Sequence, residues 1–269
     1  MAQAKIIFLI QAAMLLAGAP AFAADPDIFG QDLKYTANFG MGYSNGNYGT
    51  ARNTDVTLGL TNLSVASGDF KLSASIPYMR ISGRGLVTFD ASGNPIVINR
   101  RTALPPDTRT GFGDLNLALS YTIPATLLGD YEVRLTGVTK APIASARRRL
   151  STGEADYGMS VDVSRQWGKW GPFLTVGYLV PGQPVGYTLN DTTSVSVGSS
   201  YELSKNFVAI ASYDFDSSDS PLVPPAHELA ASLSWVREGG ITLTGYGTVG
   251  LSAGAPDMGA GLLVSYGFK

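Results

Sequence analysis

Apolar and polar residues alternate along most of the chain, and the alternation has a period of two. It is clearest near the C-terminus, where Met258, Leu262, Val264 and Phe268 share one phase. Because successive side chains of a β-strand point to opposite faces, this period predicts strands with one apolar and one polar face. About twelve segments show it: 32–44, 54–66, 70–81, 111–123, 131–140, 155–166, 170–180, 192–203, 206–215, 227–237, 241–249 and 257–268.

The connections between these segments alternate between long and short. The long ones are 45–53, 82–110, 141–154, 181–191, 216–226 and 250–256. An even strand number with this asymmetry predicts an all-β fold, a transmembrane up-and-down antiparallel β-barrel, in which all backbone hydrogen bonds join strands. A soluble β-sandwich is the alternative that the asymmetry disfavours. The second segment loses phase between Leu60 and Leu63, which predicts a bulge near Thr61-Asn62.

The N-terminal segment predicts the compartment. Lys5 precedes an apolar run from Ile6 to Leu16, and Ala21-Phe22-Ala23 has the small-x-small pattern of a cleavage site. The apolar run is too short for a membrane-spanning helix. We therefore expect a signal peptide at 1–23 and one barrel domain at 24–269 in the cell outer membrane, with both termini in the periplasm. The C-terminal strand is expected to engage the barrel-insertion machinery.

Composition excludes several kinds of chemistry. The chain has no cysteine, so it can form neither disulfides nor thiolate metal sites. Its formal net charge of −2 gives no indication of nucleic acid as a partner. We expect no cofactor and no metal. The expected partners are outer-membrane lipid, lipopolysaccharide and a small-molecule solute.

Aromatic residues are predicted to lie at both ends of the barrel. Amphipathic rings favour the two headgroup levels of a membrane, so two girdles are expected. One group lies beside the short turns: Phe70, Tyr131, Trp167, Trp170, Tyr201, Phe207, Trp235 and Phe268. The other lies beside the long loops: Tyr43, Tyr78, Phe112, Tyr157, Tyr178 and Tyr213.

Charged residues on the polar phase of the strands are candidates for lining the lumen, because charges are costly against lipid. The candidates are Lys71, Asp114, Glu132, Arg134, Lys140, Asp162, Asp214 and Glu228. A turn centred near residue 127 would place Asp114 opposite Lys140 and Ser120 opposite Arg134, with Asp162 also near Arg134. This predicts an ion-paired wall, with a register uncertainty of about two residues. The alternative is that these pairs only fill a closed interior.

Arginine is concentrated in the predicted outer loops, which hold eight of the twelve arginines: Arg52, Arg84, Arg100, Arg101, Arg109, Arg147, Arg148 and Arg149. Guanidinium groups match phosphate geometry, so the run Arg147-Arg148-Arg149 is a candidate contact for lipopolysaccharide phosphates. Two alternatives remain open. The arginines could attract anionic solutes to a pore mouth, or they could be solvated loop charges.

Several motifs in the middle of the chain are distinctive. The strand Gly111–Tyr121 has the pattern G-x-G-D-L-x-L-x-L-x-Y, and Lys140-Ala141-Pro142 precedes a T-G-x-x-D-x-G pattern within 151–158. These motifs resemble the G-x-G-D-L-x-L-x-L-x-Y strand, the K-x-P-T-G loop and the T-G-x-x-D-x-G strand of a family of outer-membrane barrels named for the MetA pathway of phenol degradation. Gly177-Tyr178 fits its next strand. The chain departs from the family at Ile143-Ala144. The resemblance implies transport of aromatic or other hydrophobic compounds.

We therefore expect a narrow channel or transporter for small molecules. About eight strands leave an interior that side chains can fill and roughly sixteen leave an open pore, so twelve predict a narrow lumen. A non-conducting structural or surface-interaction barrel is the first alternative. The second is an outer-membrane hydrolase using His227, the only histidine. Glu228 should point away from its ring, since strand neighbours face opposite sides, and we predict that the protein is not an enzyme.

Overall fold

The computed structural model describes residues 33–48, 53–83, 87–91, 95–97, 107–186, 188–221 and 223–268. The predicted signal peptide and Arg52, Arg84, Arg100 and Arg101 lie outside these residues. The strands are β1 (Lys34–Gly46), β2 (Thr54–Ser67), β3 (Phe70–Gly83), β4 (Val87–Phe89), β5 (Pro95–Val97), β6 (Asp107–Phe112), β7 (Leu115–Ile123), β8 (Tyr131–Ala141), β9 (Asp156–Arg165), β10 (Trp170–Val180), β11 (Thr192–Ser204), β12 (Phe207–Asp216), β13 (Ala226–Val236), β14 (Ile241–Gly250) and β15 (Met258–Phe268).

These strands form a closed antiparallel barrel, as predicted. Each barrel strand pairs with its neighbour in the chain, and β1 pairs with both β2 and β15, so the wall is closed. Among the described residues, β6 pairs on one side only, with β3. β6 and β7 both pair with β3 and together form one wall strand, which makes twelve wall strands among the described residues. The separate β4–β5 hairpin lies within the connection from β3 to β6. Within the described residues, no helix is long and apolar enough to span a membrane.

The two ends of the barrel differ. The end that we call the turn end carries the short connections, of which the β2–β3 connection is only Gly68-Asp69, together with Lys34 and Phe268. The opposite end, the loop end, carries the connections 47–53, 84–106, 142–155, 181–191, 217–225 and 251–257. The predicted alternation of long and short connections is confirmed.

The outward face of the wall is apolar. Met41 and Leu262 are each 69% exposed, and apolar side chains share this phase on every wall strand. Aromatic rings concentrate at its two ends. Trp170 and Tyr201 pack at 4.6 Å between ring centroids at the turn end, and Tyr78 and Phe112 pack at 5.1 Å at the loop end. This arrangement is typical of a transmembrane barrel with two aromatic girdles.

The predicted bulge at Thr61-Asn62 is wrong. β2 pairs with both neighbours in an unbroken register, and Leu60, Asn62 and Ser64 all face inward. The hydrophobic phase changes because the inward face itself is apolar near the loop end and polar near the turn end. The apolar Leu63 lies on the outward face, where it is expected in a membrane protein.

The wall has its break between β6 and β7 instead. The pairing of β6 with β3 is one residue out of step with that of β7, as in a β-bulge. Gly113 lies at the break, and its N–H donates to the Pro77 carbonyl at 2.8 Å. A side chain there would place Cβ 2.7 Å from Pro77 Cγ, so only glycine fits without a shift. The break turns Asp114 inward, where it is buried.

The barrel interior is tightly packed at two levels. Between its middle and the turn end, an apolar layer joins strands from opposite sides of the wall, and we call it the inner apolar layer. It consists of Leu60, Phe173, Val208, Ile210 and Leu263. Closer to the loop end lies a second cluster, the mouth cluster. It combines wall residues with loop residues that fold inward: Tyr48, Val56, Leu58, Met79, Ile81 and Leu150.

Candidate functional site

All eight charged residues proposed to line the lumen lie on the inward face of the wall. Several alternate with exposed outward neighbours, as Arg134 does with Leu135 and Glu228 does with Leu229. The eight do not form one continuous wall. They divide into Asp114 and Lys140 near the loop end, four residues nearer the turn end on β3, β8 and β9, and a pair on β12 and β13.

The group near the loop end is a buried ionic triad, which we call the loop anchor. Lys140 Nζ lies 2.7 Å from Asp156 Oδ2 and 3.8 Å from Asp114 Oδ2. The side chains of Lys140 and Asp156 are 1% and 0% exposed. Lys140 also donates to Thr152 Oγ1 at 3.2 Å. With one cation between two anions, the triad carries a formal charge of minus one.

The loop anchor fastens three connections over the mouth of the barrel. Asp114 accepts hydrogen bonds from Ala144 N at 2.9 Å and from Ser151 Oγ at 2.5 Å. Asp156 accepts from Ala91 N and from Gly182 N, each at 3.0 Å. These donors belong to the connections 142–155, 84–106 and 181–191. Charged acceptors make hydrogen bonds roughly twice as strong as neutral ones, so these loops are held firmly at the donor residues.

The predicted register was close to the observed one. Lys140 pairs through Cα with Asn116 and Asp156, and Arg134 pairs with Thr122 and Asp162. On the β7 side the prediction is therefore two residues off, within its stated uncertainty. It also missed Asp156 as an ion-pair partner, although the inward phase of β9 and the resemblance of 151–158 to a family motif could have indicated it.

The group near the turn end is less tightly paired. Arg134 Nη2 contacts Glu132 Oε1 at 3.3 Å, and Arg134 Nε donates to Thr122 Oγ1 at 3.4 Å. On the same inward side, the Nζ atom of the half-buried Lys71 is buried and has no hydrogen-bond partner among the described residues. Lys71 and Arg134 therefore place two cations near this end of the interior, against the carboxylates of Glu132 and Asp162.

The pair on β12 and β13 consists of two carboxylates. Asp214 and Glu228 are direct cross-strand partners. Asp214 is held by Ser196 Oγ at 2.5 Å and Ser212 Oγ at 2.9 Å. Like charges directly opposite each other destabilise a strand pair. The sequence placed both residues correctly on the inward face, but no local pattern showed that they would face each other.

Above this pair, at the loop end, lies an acidic cleft that we call the mouth cleft. It is small and partly open to solvent, and its lining residues include Asp90, Asp216, Asp219, Glu228, Val223 and Pro224. Burial raises the pKa of Asp219 well above its ordinary value, and the nearby carboxylates of Asp90 and Asp156 raise it further. Sequence analysis missed this cleft, since its walls come from separate loops.

His227 lies on the outward face, on the opposite side of β13 from Glu228. Its Nδ1 is 2.6 Å from Tyr213 Oη, and its ring packs 5.1 Å from that of Phe215. Ser252 Oγ accepts from the backbone N–H of His227, and its own hydroxyl donates to the Pro225 carbonyl. Among the described residues no group of His, Asp and Glu could hold a metal ion.

The arginine run lies on an exposed one-turn 3-10 helix, Ala146–Arg148, in the connection from β8 to β9. Ser145 Oγ caps this turn by accepting from Arg148 N, and Arg149 follows in the left-handed conformation with φ of 58°. Leu150 then packs into the mouth cluster. The turn is therefore anchored on its C-terminal side, and it presents Arg147 and Arg148 to the surroundings of the barrel.

Comparison with solved structures places this barrel among outer-membrane channels in fold. An outer-membrane channel from Pseudomonas putida F1 superposes with a TM-score of 0.66 at 12% identity, over 91% of this chain and 100% of the other. The NanC porin gives 0.54 at 13% identity over 87% and 99%, and the KdgM porin gives 0.52 at 8% over 87% and 99%. The chain has the fold of an outer-membrane channel.

The comparisons by sequence give no family. No protein-family model matches the chain, and no curated protein matches it. The resemblance to the family named for the MetA pathway therefore stays a prediction. At identities of 8–13%, the structural likeness concerns the fold and carries no substrate to this chain.

Proposed function

We propose that this protein is a narrow channel or transporter for small molecules in the outer membrane, with both termini in the periplasm. The proposal rests on one observation: the closed wall is apolar on its outward face and polar over much of its inward face. Apolar side chains cover the outside, while charged and hydroxyl side chains such as Ser120, Ser196 and Ser234 lie buried inside. Lipid outside and a hydrophilic path inside require this pattern.

The same interior predicts that the path is narrow. The inner apolar layer crosses the interior between its middle and the turn end, and the loop anchor holds residues of three connections at the loop end. The family resemblance implies aromatic or hydrophobic solutes, and Phe173 of the inner apolar layer is the residue that such a solute would contact. We also propose that β15 engages the barrel-insertion machinery and that the protein contacts lipopolysaccharide.

Single-channel recording of refolded protein in planar bilayers tests the proposal. We expect small, discrete conductance steps. Neutralising Arg134 with glutamine should shift ion selectivity toward cations, because it removes one of the inward cations near the turn end. Arg237→Gln is the matched control, since it removes the same charge from an exposed turn outside the wall. If Arg134→Gln and Arg237→Gln have the same ion selectivity, Arg134 does not line the conduction path.

A silent barrel would support the alternative of a structural or surface-interaction protein. Silence combined with lipid hydrolysis that is lost in His227→Ala would support the hydrolase. His227 points outward and Glu228 lies on the other face of the strand, so the carboxylate is not placed to orient the imidazole ring. A substrate in the lumen would not reach this ring either. We therefore propose no catalytic role for it.

The orientation can be tested by cysteine labelling, because the chain has no cysteine of its own. Ile143→Cys places a thiol at the loop end, and Leu127→Cys places one at the turn end, both at exposed positions. A membrane-impermeant maleimide added to intact cells should label Ile143→Cys only, and both variants after lysis. Labelling of Leu127→Cys alone in intact cells would invert the proposed orientation.

The proposed lipopolysaccharide contact predicts a stability change that depends on the lipid. Replacing Arg147, Arg148 and Arg149 with glutamine should lower the thermal unfolding temperature in membranes containing lipopolysaccharide. In a zwitterionic detergent the change should be close to zero, because exposed charges contribute little there. Replacing the exposed turn-end residues Lys169, Lys205 and Arg237 is the charge-matched control. Equal losses in both media would exclude the contact.

A further inference from the structure

The outward face of β3 changes from apolar to charged at one position. From the turn end, its outward phase includes Phe70, Leu72, Ile76 and Tyr78, and the next residue of this phase is Arg80. Arg80 is exposed, and its guanidinium has no ion-pair or hydrogen-bond partner within the described part of the chain. A cation on the lipid-facing side of a barrel is costly at the centre of the bilayer and is tolerated near the headgroups.

The position of Arg80 along β3 places it at the headgroup level. Phe70 belongs to the aromatic girdle at the turn end, where its ring packs 4.9 Å from that of Tyr121. Arg80 lies ten residues further along the same strand. With a rise of about 3.3 Å per residue and a tilt of about 40°, this stretch spans roughly 25 Å along the barrel axis. The apolar band of such barrels is about 25 Å tall, so Arg80 lies at its boundary on the loop side.

The surroundings of Arg80 combine aromatic rings with hydroxyl groups. One step nearer the turn end, Tyr78 and Phe112 are cross-strand partners whose rings meet edge to face. At its own level, Arg80 is flanked by its two cross-strand partners, Thr57 on β2 and Thr110 on β6, and both threonines are exposed. Rings below and polar groups above suit a ligand that has an apolar body and a polar, anionic head.

Asp55 is the outward carboxylate of the neighbouring strand β2. Its cross-strand partner on β3 is Ser82, two residues beyond Arg80. Asp55 Oδ1 accepts from Tyr43 Oη at 2.5 Å and from Asn45 Nδ2 at 2.9 Å. Both donors belong to β1, on the far side of β2 from β3, and no ion pair joins Asp55 to Arg80. The carboxylate is therefore held toward β1, and the guanidinium is left for an external anion.

The arginine run lies at the loop end of the same sector of the wall. A Cβ on Gly111 of β6 would lie 2.7 Å from Leu150 Cδ1, so Leu150 packs against this strand. Gly111 is the cross-strand partner of Met79, the residue before Arg80. Because the arginine run directly precedes Leu150, it adds positive charge to this sector. Two groups of guanidinium ions suit a ligand that carries more than one phosphate.

We propose that the outward surface around Arg80 binds a phosphorylated glycolipid of the outer leaflet. We call it the Arg80 surface, and it consists of Thr57, Tyr78, Arg80, Thr110 and Phe112. The guanidinium fork donates to a phosphate, the threonine hydroxyls bond to the sugar, and the two rings contact the acyl chains. The assignment rests on the proposed function in one respect, since it requires the loop end to face the cell exterior. Binding itself requires only the folded barrel.

Native mass spectrometry of the full barrel released from detergent micelles tests the site, with diphosphoryl lipid A as the probe. The comparison ligands are lipid A without its phosphates, phosphatidylglycerol and inorganic phosphate. Arg80→Gln should weaken the binding of diphosphoryl lipid A by about tenfold or more, the loss expected for charge-assisted hydrogen bonds. Arg80→Lys keeps the charge without the fork, so it should weaken binding less than Arg80→Gln does.

Arg237→Gln is the matched control, because it removes the same charge from an exposed position at the turn end. It should bind diphosphoryl lipid A as the unmodified barrel does. Arg80 points out of the wall and has no partner among the described residues, so its replacement should leave the fold intact. An unchanged thermal unfolding temperature in lipid-free micelles checks that each variant is folded.

The outcomes separate clearly. Binding of diphosphoryl lipid A that falls in Arg80→Gln, persists in Arg237→Gln and exceeds that of the three comparison ligands supports the site. Equal binding by Arg80→Gln and the unmodified barrel overturns it, and so does equal affinity for phosphatidylglycerol or for inorganic phosphate. Loss of binding only when the arginine run is replaced also overturns it. These measurements involve no bilayer, so a barrel that binds lipid A through Arg80 but does not conduct contradicts only the proposed function.

Discussion

Replacing Lys140 with methionine should lower the free energy of unfolding by about 3–5 kcal/mol, the range found when one partner of a buried ion pair is removed. Methionine preserves most of the side-chain volume but leaves Asp114 and Asp156 buried together without their cation. Two like charges in a low-dielectric interior then repel each other. Urea unfolding of the refolded barrel in detergent micelles measures the change.

The control for this variant is an ion pair at the other end of the barrel, between the half-buried Arg165 and the exposed Asp130. Arg165 Nη2 lies 3.4 Å from Asp130 Oδ2, and the Asp130 side chain is 80% exposed. Arg165→Met should cost roughly 1 kcal/mol or less, because solvent screens this pair. Similar losses for Lys140→Met and Arg165→Met would show that the loop anchor does not hold the mouth as described.

Phe173→Ala should raise the single-channel conductance several-fold. Phe173 is the largest side chain of the inner apolar layer, and an apolar constriction resists the passage of ions because water leaves it readily. Truncating the ring opens space in the layer and weakens this barrier. The variant should also lose about 3–5 kcal/mol of stability, as is usual for phenylalanine truncation in a core.

The adjacent residue supplies the matched control. Leu174 follows Phe173 on β10 but faces outward, where it is 42% exposed. Leu174→Ala should leave the conductance unchanged. If Phe173→Ala proves too unstable to refold, Leu60→Ala removes a smaller part of the same layer and should also raise the conductance. An unchanged conductance in a folded variant of Phe173 or Leu60 would place the conduction path away from the layer.

The wall of the barrel was largely predictable from sequence, because the membrane imposes a rule on every strand. Because lipid surrounds the wall, every second side chain of a strand is apolar. Each strand can therefore be predicted from its own alternation, independently of the others. The rule failed locally in β2, where apolar residues such as Leu58 and Leu60 also pack inward. The outward residues beside them, such as Thr57 and Gly59, are not apolar, so the apolar phase passes from the inward to the outward face along the strand.

The register between β7 and β8 shows a second limit. We placed the centre of their turn near residue 127, but β8 begins at Tyr131 while its pairing with β7 begins only at Val133. An error of one residue in the centre of a turn displaces cross-strand partners by two. Gly129 and Asp130, both with positive φ, close this turn after a 3-10 segment, and this conformation is not evident from an alternation pattern.

The candidate sites at the loop end were the least predictable part. The loop anchor joins Asp114, Lys140 and Asp156 with backbone groups of three separate connections, and the mouth cleft joins Asp90 with Asp219. The sequence of a loop has no periodic pattern that predicts whether the loop folds inward or outward. In the sequence, a buried carboxylate in a loop cannot be told from an exposed one. Its role becomes clear only when the structure shows that the loop turns inward.

The closure of the wall between β1 and β15 has a consequence for how the barrel assembles. Tyr35 and Phe268 pair across this seam, with their rings stacked at 5.6 Å, although almost the whole chain separates them. A contact at such separation forms late, since the chain must first lose the entropy of closing so large a loop. Until then β1 and β15 are open edges that can pair with any other strand. The nascent barrel therefore depends on a protected environment until its last strand meets its first.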